Sequence, residues 1–271
     1  MQSNKVVIIT GASSGIGLAC AWEFARRGSS VVMAARNFAA IDNHSKEMKS
    51  QGLEAFPCKT DVTIEQDCRE LIETALEKYG RIDVLINNAG ISMRALFSQL
   101  DINVLRKVMD VNFWGTVYCS KYALPHLLET KGSLAGISSI AGFQGLPGRT
   151  GYSASKFAMH GFLEAVRVEN RNNKLHVLIA APGFTASNIR KTALLASGSE
   201  QGESPRTEEK MMPSHIVARH IYKAIKNRRS SLILTSHGKL TVMLKKLFPG
   251  LLEKLMFDHF AAEPDSPLKN I

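Results

Sequence analysis

Short apolar runs alternate with longer stretches of helical periodicity along most of the chain. The apolar runs are bounded by turn residues and predict buried strands at 6–10, 30–34, 54–59, 82–86, 132–138, 175–180 and 231–234. The periodic stretches predict helices at 18–27, 41–50, 65–79, 103–131, 152–171 and 213–226. We expect Pro125 to interrupt the helix at 103–131. Strands that alternate with helices imply right-handed crossovers, and therefore an α/β fold with a doubly wound parallel sheet in one domain.

The pattern changes after residue 235, where apolar positions recur at helical spacing up to Pro249 and again beyond it. We therefore divide the chain into a dinucleotide-binding catalytic domain at 1–235 and an amphipathic helical extension at 236–271. The extension has three interpretations: a helix pair packed on the domain or on a second subunit, a lid over a substrate pocket, or a helix on a membrane surface. Four lysines would face the lipid headgroups in the last case, namely Lys239, Lys245, Lys246 and Lys254.

Composition narrows the function classes. The chain has 271 residues, 45% of them hydrophobic, which suits a globular protein, and its formal net charge is +10. The basic residues are scattered and form no nucleic-acid motif, so we expect no nucleic-acid partner. The four cysteines lack disulfide or zinc spacing and the histidines lack ligand partners, so we expect no metal and a reducing compartment. Without a visible signal peptide or spanning segment, we expect a cytoplasmic protein, peripheral at a membrane if the extension binds lipid.

A glycine-rich loop joins the first strand to the first helix, with the sequence Thr10-Gly11-Ala12-Ser13-Ser14-Gly15-Ile16-Gly17. Glycines let the backbone turn sharply and approach a pyrophosphate, whose charge the N–H groups of a helix N-terminus stabilise. A glycine-rich turn without a ligand is the alternative. The TGxxxGIG pattern resembles the cofactor motif of the short-chain dehydrogenase/reductase family, and the resemblance extends over roughly residues 5–235. It implies a Rossmann-like fold and a nicotinamide dinucleotide cofactor.

Further motifs carry the same resemblance. Asn87-Asn88-Ala89-Gly90 is similar to the family's NNAG motif, Asp61-Val62 to its adenine contact, and Pro182-Gly183 to the loop that packs on the nicotinamide. Thr185 or Ser187 would contact the cofactor beyond that loop. The full cofactor site implied is Gly11, Ser13, Ser14, Gly15, Ile16, Gly17, Arg36, Asp61, Val62, Asn88, Ala89, Gly90, Tyr152, Lys156, Pro182, Gly183 and Thr185.

The end of the second strand predicts which dinucleotide binds. An acidic residue there would bind the ribose hydroxyl of NAD, whereas a basic residue accommodates the 2′-phosphate of NADP. Here Ala35 is followed by Arg36, and no acidic residue comes before Asp42. Arginine suits a phosphate because its planar guanidinium makes paired, charge-assisted hydrogen bonds. We therefore expect NADP(H) rather than NAD(H).

Tyr152 and Lys156 are four residues apart on a predicted helix and so share one face. Free tyrosine has a pKa of about 10, and a neighbouring ammonium would lower it and make the phenol a usable proton donor. An exposed pair on a helix surface is the alternative. In the resembled family, Ser139 would donate to the substrate oxygen, with Ser138 as the other candidate. The family's matching Asn, here Asn112, would hold a water that links the lysine to solvent.

The predicted substrate is a hydrophobic carbonyl compound or secondary alcohol, such as a steroid-, retinoid- or 3-oxoacyl-like molecule. This follows from an expected apolar pocket of Met93, Phe97, Phe143, Leu146, Phe184 and Leu194. We expect Ser139, Phe143 and Phe184 to contact the substrate. A non-catalytic dinucleotide-binding module and a sugar-nucleotide epimerase or dehydratase are the rival functions. The resemblance also implies a homodimer or homotetramer, formed through the helices at 103–131 and 152–171.

Overall fold

The computed structural model describes residues 5–205, 207 and 211–270. Within these residues, the strands are β1 Val6–Thr10, β2 Ser30–Ala35, β3 Ala55–Lys59, β4 Val84–Asn87, β5 Ser133–Ile137, β6 His176–Ala181 and β7 Ser231–Ile233. These seven parallel strands form one sheet in the order β3-β2-β1-β4-β5-β6-β7. The order reverses between β1 and β4, which opens a crevice at the carboxyl ends of the strands. The predicted doubly wound parallel sheet is confirmed.

Helices cover both faces of the sheet and bury its apolar side chains in two clusters. The helices are α1 Gly15–Ala25, α2 Phe38–Ser50, α3 Glu65–Tyr79, α4 Ile102–Met109, α5 Gly115–Glu129, α6 Thr150–Glu169, α7 Ser214–Lys226, α8 Ser236–Leu247 and α9 Pro249–Ala261. One cluster joins β1 and β2 to α1, α2 and α7, and the other joins the opposite face to α3, α5 and α6. A strand buried on both faces reads as a continuous apolar run, which explains why the sequence pattern located the strands.

The helix expected at 103–131 is interrupted at a different place. A π-helical turn at Asp110–Trp114 separates α4 from α5, while α5 continues through Pro125. The prediction that Pro125 interrupts the helix is wrong. Pro125 and Lys121 both lie on the exposed side of α5, so the carbonyl that the proline leaves without its helical donor can be hydrated.

The C-terminal segment packs along the carboxyl edge of the sheet. The break predicted at Pro249 separates α8 from α9, and Leu252 and Phe260 of α9 are buried. Other apolar side chains of the two helices and of the residue between them remain exposed, namely Leu240, Met243, Leu247, Phe248, Leu251, Leu255 and Phe257. Among the described residues, no helix combines the length and the apolar character that crossing a bilayer requires.

Candidate active site

A cavity of about 720 Å³ lies at the carboxyl ends of the strands. Its walls come from the segments that follow six strands, including 35–37 after β2, 60–62 after β3, 88–91 after β4 and 137–139 after β5. Every residue predicted for the cofactor lines this cavity except Gly17. The sheet therefore brings together motifs that are far apart in the sequence.

The glycine loop closes one end of the cavity. Gly11 and Gly15 have φ values of +65° and +55°, a left-handed conformation that favours glycine. Gly17 has a different role from the one expected, because a Cβ at Gly17 would lie 2.3 Å from the carbonyl oxygen of Gly11 and 2.5 Å from Nδ2 of Asn88. Asn88 in turn donates from Nδ2 to the carbonyls of Thr10 and Gly11, at 2.9 and 3.1 Å. Gly17 thus permits close packing of α1 on the loop.

The adenosine side of the cavity matches its expected residues in part. Ala35 and Arg36 line the cavity where β2 ends, with Asn37 beside them. The Asp61 side chain accepts hydrogen bonds from the backbone N–H and the hydroxyl of Thr63, at 3.0 and 2.8 Å. Asp61 therefore stabilises the turn that precedes α3 while it also lines the cavity.

Tyr152 and Lys156 lie side by side in the first turns of α6, and both line the cavity. The Lys156 Nζ is 5.8 Å from the centre of the Tyr152 ring and donates to the carbonyl of Ile137 at 2.9 Å. Lys156 is only 3% exposed, and this burial lowers its pKa to about 8. The sequence thus placed the pair correctly on one helix face beside the cavity.

The pKa of Tyr152 is raised, contrary to the expectation from its lysine neighbour. Burial raises it, and a hydrogen bond from Ser139 and the positive charges of Arg149 and Arg190 lower it by less. Lys156 is not among the causes. Sequence reasoning missed both arginines, because neither belongs to the motifs that carry the resemblance.

Ser138 and Ser139 both line the cavity but have different hydrogen-bond partners. The Ser138 hydroxyl lies 2.6 Å from Nε2 of His160 in the interior, whereas Ser139 is hydrogen-bonded to Tyr152. Burial and then the charge of Lys156 lower the pKa of His160 to about 4, so this ring is neutral at physiological pH. His160 is therefore a packing residue.

Asn112 does not line the cavity but is hydrogen-bonded to Ile91, which does. It lies in the π-helical turn, fully buried, and its Oδ1 accepts from the N–H of Ile91 at 2.8 Å. Its Nδ2 donates to the carbonyl of Ile91 at 3.0 Å and to the hydroxyl of Ser155 at 2.9 Å. Both amide hydrogens are thus used within the protein. Asn112 ties the loop after β4 to α6, the helix that carries Tyr152 and Lys156.

The expected apolar pocket differs from the observed one. Of its six predicted residues only Leu194 lines the cavity. Phe97 is 64% exposed, the Phe143 ring lies 4.6 Å from that of His160, and Phe184 lies 6.4 Å from the ring of His259. Phe143 and Phe184, both predicted to contact the substrate, therefore pack elsewhere.

Polar and charged side chains contribute to the lining of the cavity instead. They include Lys107, Asn188, Arg190, Thr192 and Glu200. Thr185 and Ser187 both line the cavity as well, so the choice between them stays open. Within the described part of the chain, no three His, Cys, Asp or Glu side chains come together in a way that could hold a metal ion.

Comparison with known proteins identifies relatives across nearly the whole chain. Residues 5–196 match the family described as short chain dehydrogenase. Dehydrogenase/reductase SDR family member 7B of Mus musculus is 34% identical over 93% of this chain and 80% of its own length. The 11-beta-hydroxysteroid dehydrogenase A of Arachis hypogaea is 34% identical over 98% of this chain and 78% of its own.

Two solved structures share the architecture. A short chain dehydrogenase/reductase from Burkholderia phymatum in complex with NAD superposes with a TM-score of 0.83 at 24% identity, covering 92% of this chain and 95% of that one. An alcohol dehydrogenase from Thermococcus sibiricus complexed with 5-hydroxy-NADP has a TM-score of 0.75 at 25% identity, covering 85% and 94%. The first likeness concerns the fold alone.

Proposed function

Since the chain belongs to the short-chain dehydrogenase/reductase family, whose members are oxidoreductases acting on CH–OH groups, we propose that it transfers a hydride between NADP(H) and a carbonyl or secondary alcohol. Tyr152 is the general acid and base. The observation that carries this proposal is the meeting of Tyr152, Ser139 and Lys156 in the same cavity as the glycine loop. NADPH-dependent carbonyl reduction is the direction we propose to assay first.

The cavity has the features that a dinucleotide needs. The first turn of α1 contains no acidic residue, and the side chain of Ser14 does not cap it, so its N–H groups and positive dipole suit a pyrophosphate. The lack of a side chain at Gly90 leaves space at this wall of the cavity, because a Cβ there would lie 3.2 Å from Oδ1 of Asn112 and 3.6 Å from Nζ of Lys156. Support for NADP over NAD comes from Arg36 at the end of β2, where Ala35 offers no carboxylate to a ribose hydroxyl.

The side chains then divide the proton chemistry among them. A bound nicotinamide supplies or accepts the hydride. Ser139 and Tyr152 donate hydrogen bonds to the carbonyl oxygen, where negative charge develops during reduction. Tyr152 gives its proton to that oxygen. Lys156, whose pKa is about 8, populates both protonation states near neutral pH and can return a proton to the phenol.

We propose a substrate with a hydrophobic body, such as a steroid-, retinoid- or 3-oxoacyl-like compound. An apolar cluster that includes Met93, Val104, Val108 and Leu194 packs against Tyr152. The name of the peanut relative, 11-beta-hydroxysteroid dehydrogenase A, agrees with a steroid-like skeleton. The charged lining near Arg190 would meet a more polar end of the same molecule.

The decisive experiment measures NADPH consumption with a panel of ketones and aldehydes for the wild type and for Tyr152→Phe. We expect the variant to lose at least about a hundredfold in kcat/KM, because only the proton donor is removed, while its affinity for NADPH stays within threefold. Activity within tenfold of wild type would contradict the role of Tyr152. Tight NADPH binding by the wild type without turnover of any panel member would favour the non-catalytic module.

Two proposals concern assembly and location. Exposed Trp114 stacks on Tyr118, and Phe157 is exposed on α6, so we propose that these helices form a homodimer or homotetramer interface. Sedimentation equilibrium of the wild type and of Phe157→Glu tests this, and a monomeric wild type excludes it.

We also propose a cytoplasmic protein that contacts membrane surfaces weakly through α8 and α9, whose exposed apolar side chains lie among lysines.

A further inference from the structure

Three charged side chains meet inside the protein, outside the cavity described above. Oε2 of Glu263 lies 2.9 Å from Nη2 of Arg149 and 3.6 Å from Nη2 of Arg94. Glu263 and Arg94 are buried, and the Arg149 side chain is 14% exposed. Burial of ionic groups costs desolvation free energy unless each group is paired. A buried cluster of three charged side chains therefore suggests a structural or functional role.

The cluster joins the C-terminal segment to the loops that form the active site. Arg149 is the residue directly before α6, and its guanidinium stands 4.6 Å above the ring of Phe260. Arg94 donates from its side chain to the carbonyl of Pro264 and from its backbone N–H to the carbonyl of Leu194, a cavity residue. Residues beyond α9 are thereby anchored to the start of the helix that carries Tyr152 and to the cavity wall.

The position of Arg149 is electrostatically unfavourable by itself. The N-terminus of a helix is the positive end of its dipole and favours negative charge. The first turn of α6 contains no acidic residue, and a cation precedes it. Glu263, more than a hundred residues later in the chain, supplies the negative charge that α6 lacks.

We propose that Glu263 is a positioning residue for the active site: it holds Arg149 at the start of α6, beside Tyr152, and fixes the local charge around the phenol. It touches neither substrate nor cofactor and acts through Arg149. This inference rests on the proposed function, since it matters only if Tyr152 transfers the proton.

Several groups face the phenol from the surrounding elements. Ser139 comes from the loop after β5, Arg149 from the start of α6, Arg190 from the loop after β6, and Lys156 from the next turn of α6. Both arginines lower the pKa of Tyr152. Loss of the Glu263 charge removes a negative charge that offsets the positive charge of Arg149, which stabilises the phenolate and moves the pKa of Tyr152 down. Loss of the Arg149 charge moves it up.

The test compares E263Q, R149Q and the double variant. Oxidation of a secondary alcohol needs the deprotonated phenol, so kcat/KM with cyclohexanol and NADP rises with pH through the pKa of Tyr152. We call this rise the alkaline limb of the pH profile. We expect the midpoint of the limb to move down by about half a pH unit in E263Q and up by a similar amount in R149Q. The double variant should return close to the wild-type limb, because it removes one positive and one negative charge. Tyrosinate absorbance, with Tyr152→Phe as the reference, reports the same order without turnover.

The matched control is E73Q, which removes the carboxylate of an exposed Arg69–Glu73 pair 2.8 Å apart on α3. It should leave the limb unchanged. A merely structural role would weaken all three variants, the double most, without opposite shifts, and that result overturns the inference. If E263Q does not fold, R149Q decides alone, and an unmoved or lowered limb refutes the inference. Loss of activity in Tyr152→Phe alongside unmoved limbs would refute the inference while leaving the proposed function intact.

Discussion

Replacement of Lys156 by methionine should make the protein more stable at neutral pH and, if the proposed function holds, abolish activity. Burial lowers the pKa of Lys156 from its ordinary value of 10.5 to about 8. Since each pKa unit corresponds to about 1.4 kcal/mol, the folded state pays about 3 kcal/mol to keep this ammonium charged. Methionine fills similar space without charge but leaves the carbonyl of Ile137 without its donor, which costs about 1 kcal/mol. We expect a net stabilisation of about 2 kcal/mol at pH 7.

The pH dependence gives the sharper test, because its sign follows from linkage. Between pH 8 and 10.5 the unfolded chain binds the proton that the folded chain has lost, so wild-type stability rises with pH across this window. Lys156→Met lacks this contribution, and its advantage should therefore shrink by about 3 kcal/mol from pH 7 to above 10.

Urea denaturation followed by circular dichroism, at several pH values and without dinucleotide, measures the difference between the two proteins. Lys223→Met on α7, which replaces an exposed lysine, is the control and should show a difference that does not vary with pH. A pH-independent difference for Lys156→Met, or a variant less stable than wild type at pH 7, would refute the reasoning.

Three further predictions concern the cofactor and the surface. Gly17→Ala should destabilise the protein and weaken NADPH binding at least tenfold, since its Cβ meets backbone, whereas Gly161→Ala, with open space around it, should do neither; equal behaviour of the two would be contrary to this packing. Arg36→Ala should raise the Kd for NADPH about tenfold or more and leave that for NADH nearly unchanged, as measured by fluorescence titration; equal losses would speak against a phosphate contact. Sedimentation with vesicles rich in anionic lipid should capture the wild type and capture Leu247→Glu several-fold less, and no capture of the wild type removes the membrane proposal.

The parts of the protein that sequence could predict are those whose patterns are local. A strand buried on both faces, a glycine loop between strand and helix, and two side chains four residues apart each depend on neighbours within a few positions. The strand order and the crevice follow from alternating elements and right-handed crossovers. For this reason the sequence by itself predicts the location of Tyr152, Lys156 and the glycine loop.

Sequence patterns failed where side-chain direction or distant partners decide. Phe143 and Phe184 are correctly placed on loops near the site, yet their rings turn toward His160 and His259. In the π-helical turn that interrupts the predicted helix, Asn112 is hydrogen-bonded to the loop after β4 and to α6, and no sequence periodicity indicates these distant partners.

The charge around Tyr152 belongs entirely to the tertiary structure. The sequence determined that a phenol and an ammonium share a helix face, because helical spacing is fixed by backbone geometry. Only the folded chain decided that burial would raise the pKa of the phenol and that Arg149 and Arg190 would oppose it. The carboxylate that balances Arg149 comes from Glu263, 114 positions away. Electrostatic energy depends on the distance between charges in space and on the exclusion of solvent. The separation of residues along the chain determines neither of these quantities.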